Sequence, residues 1–233
     1  MALPKIDLPL FELTVPSSNR KIHYRPFTVK EEKILLLAKE SKDIDQIVLA
    51  IKQIINNCVK DIAVEKLALF DLEYIMLNIR SKSVNEDISF KIKDPDTEEE
   101  VSISLNINEI KVSKNPDHNK VIKINDQYSL VMRYPTLNEL KLLTVGGDKR
   151  QESIFNVMVA CIESIVEGDS VTKLSDYSAA EVSEFVEGLS SSTIVSIQKF
   201  FETIPVLRVE CPYTTKSGTK KTFVIQGVES FFI

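Results

Sequence analysis

Carboxylates and a few scattered nucleophiles are the groups in this chain that could do chemistry. Glu31 and Glu139 hold matching places in two similar segments, so a fold that faced those segments across a pseudo-twofold axis would pair two carboxylates for acid/base hydrolysis. Asp71 and Glu73 are further acids on which such a hydrolase would draw. A structural use competes with this one. Thr28 with Glu31, and Thr136 with Glu139, match a capping box, in which hydroxyl and carboxylate satisfy backbone donors left open at a helix start. The cap accounts for both carboxylates without any substrate.

The remaining candidates lack partners at motif spacing. His23 and His118 have no Cys, Ser or carboxylate suitably placed beside them. Asp94, Asp96 and Glu98 alternate as the first ligands of a calcium loop do, but the sixth position is Glu99 instead of glycine and the twelfth is Leu105 instead of glutamate. Cys211 has no second cysteine near enough for a zinc knuckle, and Gly146-Gly147 does not open a phosphate-cradling helix. The expectation is therefore a protein with no catalytic residue, no metal and no cofactor.

The elements that must position these groups come in two sets. Arg25, Thr28, Glu31, Lys33, Ile34 and Leu35 recur as Arg133, Thr136, Glu139, Lys141, Leu142 and Leu143, each pair 108 residues apart, and a constant offset points to tandem duplication. Alternating Phe11, Leu13, Val15 and Ile22, Tyr24 flank the turn residues Pro16 to Asn19, as Val121 to Ile124 and Tyr128, Leu130, Met132 flank Asn125 to Gln127, so each set opens on a hairpin. A capped helix follows; Gly146 and Gly147 are expected to end its second copy. Ile47, Ile51, Ile54 and Cys58 match Phe155, Val159, Ile162 and Val166 as one amphipathic stripe, which makes Cys58 a small core residue equivalent to Val166. A third helical segment runs from about Val64 to Arg80, and its counterpart splits into Ala179–Leu189 and Ser192–Thr203. Each set closes on another hairpin, through Asp94–Thr97 in the first and around Ser217-Gly218 in the second.

This reading gives an α+β fold built by tandem duplication of a hairpin, three-helix, hairpin unit, a pseudo-twofold two-domain protein. The expected boundaries are an extended N-terminal arm at 1–10, a first repeat at 11–110, a linker at 111–120 and a second repeat at 121–233. Leu3, Ile6, Leu8 and Leu10 lie between and beside Pro4 and Pro9, which forbids a helix and leaves an apolar arm. The opposite end reads Phe231-Phe232-Ile233. Both segments either pack back on their own domains or dock on a neighbouring subunit. Arg25, Phe27, Arg133 and Tyr134, at the corner between hairpin and helix, are candidate contact points that could equally serve to fix the corner.

Composition narrows the partners. A net charge of −5 and a pI near 5.3 argue against a general nucleic-acid surface, and the basic run Lys216 to Lys221 reads as a hairpin tip. Pro4, Lys5, Asp7 and Pro9 occupy the place where a signal peptide needs an apolar core, no stretch has the length of a membrane span, and three separated cysteines suit a reducing compartment.

Whole segments resemble a known family. Leu3-Pro4 through Leu8-Pro9-Leu10, the run Tyr24-Arg25-Pro26-Phe27-Thr28-Val29-Lys30-Glu31-Glu32-Lys33-Ile34-Leu35-Leu36, and Phe70-Asp71-Leu72-Glu73-Tyr74 are similar to the baseplate hub subunit and hub assembly proteins of T4-like contractile-tailed phages. The resemblance implies a non-enzymatic hub subunit or assembly chaperone acting by protein–protein binding in the host cytoplasm, with other hub proteins as partners and a place in the virion if it is permanent. It supplies no catalytic residues. The alternative from the residues themselves remains a tail-associated hydrolase with paired carboxylates.

Overall fold

Alternation of apolar and polar residues places β1 (Phe11–Thr14) antiparallel to β2 (Lys21–Tyr24), with Phe11 opposite Tyr24 and Leu13 opposite Ile22. In this computed structural model, residues 7–41, 43–60, 62–84, 87–139 and 150–226 are described. The turn between the strands needs a left-handed residue, and Asn19 supplies it at φ 54°. Leu13, Val15, Ile22 and Tyr24 are buried while their neighbours face water, so the hairpin has one wet face.

Helices α1 (Val29–Ser41), α2 (Ile44–Cys58) and α3 (Leu69–Ser83) follow. The Asp43 carboxylate caps α2 by accepting from the Asp45 N–H at 2.9 Å. Of the expected stripe, Ile51, Ile54 and Cys58 sit at 5% exposure or less and Ile47 is partly buried, with Ile55 hidden beside them. On α3, Leu72, Ile75, Met76 and Ile79 are equally hidden. Strands β3 (Asp87–Lys93) and β4 (Glu100–Asn106) form a second hairpin, and β5 (Lys111–Ser113) edges a sheet ordered β11-β10-β5.

The second set begins with β6 (Val121–Lys123) and β7 (Tyr128–Met132), joined through an Asn125 side chain that accepts from the Gln127 and Tyr128 N–H groups. Next come α4 (Arg150–Ala160), β8 (Ile162–Glu167), β9 (Ser170–Lys173), α5 (Ala179–Glu187) and α6 (Ser191–Glu202). A four-stranded meander runs β6-β7-β8-β9, and Leu130, Met132 and Cys161 are fully buried against Ile197 and Phe200 of α6. The chain ends its described part with β10 (Val206–Thr214) and β11 (Lys220–Gln226).

The fold is α+β as the sequence implies, with helices and several small sheets. Three expectations change. The stripe through Phe155, Val159, Ile162 and Val166 is helical only as far as α4, because Ile162–Glu167 pairs antiparallel with Tyr128–Met132 of β7 on one side and, across a turn at Gly168, φ 56°, with β9 on the other. Lys111–Ser113, placed in a linker by its polarity, is strand β5 paired with Val206–Arg208 of β10. That pairing draws the last hairpin into one compact unit with the described residues up to Ser113, while Lys114–Pro205 make the other, so the boundaries at 110 and 121 do not divide the chain as expected. The helix end expected at Gly146 and Gly147 lies outside the described residues.

Within the first unit, one buried carboxylate staples two hairpins. Asp94, at the β3–β4 turn, accepts from the Asp96 and Thr97 N–H groups, from the Tyr213 hydroxyl at 2.7 Å, and from Lys221 Nζ at 2.8 and 2.9 Å. Asp94 is thus spent on the turn and on β11, and Asp96 also pairs with Lys221. Lys221 and Tyr213 together hold the Asp94 carboxyl well below the ordinary carboxylate range against the opposing effect of burial.

Two measurements check this packing. Leu130→Ala should lower the unfolding free energy of the second unit by about 2–5 kcal/mol in urea titration, whereas half-exposed Val121→Ala should cost under about 0.5 kcal/mol. Because the Asp94 pKa is depressed, its stabilisation is present above the unfolded value near 3.9 and fades as pH falls below it; the drop in melting temperature caused by Lys221→Met should therefore be larger at pH 7 than at pH 3.

Candidate functional site

Both strand-to-helix corners are built the same way. After β2, the Arg25 N–H donates to the Cys58 carbonyl at 2.9 Å; after β7, the Arg133 N–H donates to the Cys161 carbonyl at 2.8 Å. One residue earlier the backbone pairs Tyr24 with Val59 and Met132 with Ile162. The partner of Cys58 is therefore Cys161 and not Val166. The stretch between the arginine and the cysteine is five residues shorter at the second corner, a difference that a constant offset conceals.

The side chains repeat as well. Arg25 Nη2 reaches Glu31 Oε1 at 3.1 Å and Nη1 reaches the Pro26 carbonyl at 2.8 Å. Arg133 makes a two-pronged pair with Glu139, at 2.8 and 3.2 Å, and also holds the Tyr134 and Ala160 carbonyls. Asn57 Nδ2 donates to Glu31 at 3.2 Å; at the equivalent place Ala160 carries no amide, and the guanidinium takes the backbone carbonyl directly. Each glutamate also accepts from the N–H and the hydroxyl of Thr28 or Thr136. The carboxylate half of the expected capping box is thus formed in both copies, and the hydroxyl accepts from the Lys30 or Asn138 N–H one residue short of the expected one.

Charge follows geometry. Burial alone would raise Glu31, but hydrogen bonds from Arg25 and from the Thr28 side chain and backbone outweigh it and hold the carboxyl at about 2; Glu139 is lowered by the same balance. Neither is poised as a general acid. Burial pushes the Cys58 thiol to about 11 and Cys161 to about 12, the opposite of what a nucleophile needs. Asp71 is fully buried and accepts from the Ser17 N–H at 2.9 Å. Among the described residues no group of His, Cys, Asp and Glu could hold a metal ion, and no described helix is long and apolar enough to cross a membrane.

The corner residues named as contact points are mostly engaged inside their units. The Phe27 N–H donates to Ser83 Oγ at 2.9 Å. Tyr134 lies against His118 with ring centres 5.5 Å apart, and Lys120 Nζ sits 4.1 Å over the tyrosine ring. Leu8 is half-buried and Leu10 is 58% exposed; Leu3, Ile6, Phe231 and Phe232 lie outside the described residues. Sequence reading passed over a different surface. Val29, Leu36 and Leu37 of α1 are 66%, 54% and 67% exposed, and Leu49 of α2 is 50% exposed. The signal was present as three consecutive leucines, Leu35 to Leu37, more than one helical face can bury.

His118 has no reacting neighbour either. Thr203 Oγ1 gives its hydrogen to the Lys199 carbonyl, so at 3.0 Å it accepts from His118 Nδ1–H; Nε2 is buried beside Phe200 and lacks a hydrogen-bond partner among the described residues. Burial and the Lys120 charge both lower its pKa.

The model of the family described as T4 bacteriophage base plate protein matches residues 8–233. No curated protein and no solved structure matches the chain.

Arg133→Met strands a buried carboxylate and should cost about 3 kcal/mol by chemical denaturation, with Arg133→Lys recovering less than half because an ammonium cannot form the two-pronged pair. For His118, the folded pKa lies below the unfolded value near 6.5, so the unfolded chain binds more protons and the second unit should lose stability between pH 7 and pH 5; His118→Phe should flatten that pH profile.

Proposed function

Because the chain belongs to the T4 bacteriophage base plate protein family, we propose that it is a non-enzymatic subunit or assembly factor of the baseplate hub, acting by protein–protein binding. A role in building the phage baseplate, in contact with other baseplate proteins, comes with the family; hub placement, the choice between subunit and chaperone, and assembly in the host cytoplasm are the finer reading. The observation that carries the binding role is the apolar surface on α1 and α2, where Leu36 and Leu37 stay more than half exposed after folding. In this reading Leu3, Ile6, Leu8, Leu10, Phe231 and Phe232 are further partner contacts, Arg25 and Phe27 set the corner that leads into α1, and Arg133 and Tyr134 set the corresponding corner of the second unit.

The tandem duplication belongs to the same proposal. Its support is the recurrent corner and the element that follows: a 3-10 turn at Val64–Lys66 leads into α3 as one at Leu174–Asp176 leads into α5. In this reading the ancestral unit is shorter than the repeats at 11–110 and 121–233, ending with the helix after the 3-10 turn, and the outer hairpins were added to it.

The rival hydrolase would need Glu31 and Glu139 as an acid and a base, and the lowered pKa of both speaks against the acid. Co-purification from phage-infected cells tests the proposal. Recovery of hub proteins is the expected result, and Leu36→Glu with Leu37→Glu should abolish it at an unchanged melting temperature. A chain that binds no phage protein and turns over a glycan or peptide would overturn the reading. Mass spectrometry of purified virions separates subunit from chaperone.

A further inference from the structure

The second unit contains an apolar groove. It is a depression of about 300 Å³ between the β8–β9 hairpin and α5, floored by Ile165, Leu174, Val182 and Phe185 and rimmed by Thr172 and Tyr177. Counted from the preceding 3-10 turns, Leu72 and Ile75 of α3 stand where Val182 and Phe185 stand on α5. In the first unit those two positions are buried, at 1% and 0% exposure. In the second they are only partly covered, and the aromatic Tyr177 beside them is 51% exposed. The β8–β9 hairpin, which has no counterpart after Val59, supplies the opposite wall. The volume accommodates one or two large side chains.

Charge around the groove identifies what fits it. From Glu163 to Glu187 the chain carries seven acidic side chains and the single base Lys173, a net −6 within a protein whose total is −5; all seven acids are exposed. The rest of the chain is close to neutral, so the acidity is local to the hairpin and helix that form the groove. Like-signed surface repels nucleic acid and anionic lipid and attracts cationic chain.

We propose that this groove is the docking site for a basic segment of a partner protein, one or two large apolar side chains entering between β8–β9 and α5 while flanking Lys or Arg residues meet Glu163, Glu181 and Glu184. The apolar anchor supplies the desolvated centre of the contact and the carboxylates supply steering and register, the usual division between core and rim. This deepens the binding role proposed above by naming a second surface and the chemistry of its ligand.

The test uses the full chain and three labelled hexapeptides followed by fluorescence anisotropy: Ac-KKLFKK-NH2, the acidic Ac-EELFEE-NH2 and the non-apolar Ac-KKSSKK-NH2. Only the first should bind, and raising salt from 50 to 300 mM should weaken it about tenfold. Glu163→Lys with Glu184→Lys should remove binding without changing the circular dichroism melt, and Thr172→Trp, which fills the groove, should remove it while leaving the salt response of the melt unaltered. Equal binding of all three peptides, binding of none, or full binding by the charge-reversed variant would overturn the proposal. A salt-sensitive dimer of the chain alone, lost in the charge-reversed variant, would assign the groove to a second copy and also overturn it. Recovery of hub proteins from infected cells with intact Leu36 and Leu37 but no peptide binding would sink this inference and leave the hub reading standing.

Discussion

A chain passing from a strand into a helix leaves backbone donors and acceptors without partners, and in both halves of this protein a guanidinium and a carboxylate answer them together. Arg25 and Arg133 hold the carbonyl that follows them and pin a glutamate which in turn receives a threonine N–H. Each glutamate is nearly inaccessible, Glu31 at 2% and Glu139 at 5%, so it must stay ionised and paired or the corner loses its reason to fold. The cysteine carbonyl at the end of the neighbouring helix closes the same knot. The spacing from strand to helix, and the angle at which each hairpin meets its helices, depend on this one arrangement.

What differs between the halves lies downstream of the knot. In the first unit a single bridge at Val59 is followed directly by the 3-10 turn, and the next helix buries its apolar face. In the second the chain continues from the same bridge into a full hairpin, and the corresponding helix keeps half of that face open. The two halves share the polar knot and differ in the covering of one helix, a difference that leaves the buried ion pair untouched.

The carboxylates also show why an inventory of reactive residues misleads. Asp94, Asp96 and Glu98 alternate like ligands, yet Asp94 receives two N–H groups, a phenol and an ammonium and has no lone pair directed at a metal. Glu31 and Glu139 are equivalent, and each is satisfied within its own corner. Exposed apolar side chains, which carry no motif, are the features of this molecule best explained by partners.

Local chemistry made the opening hairpins, the two strand-to-helix corners and the helices of the first half legible: period-two alternation in Phe11–Thr14 and a Thr-x-x-Glu at each corner. These depend on residues a few positions apart, where geometry is nearly fixed by covalent structure. Tertiary structure alone decided that Ile162–Glu167 is a strand, that Cys161 and not Val166 answers Cys58, and that Lys111–Ser113 joins β10. Each of those outcomes turns on a backbone partner from 28 to 97 residues away (Arg133 to Cys161, Lys111 to Arg208), and no short-range pattern encodes which distant edge will accept a strand.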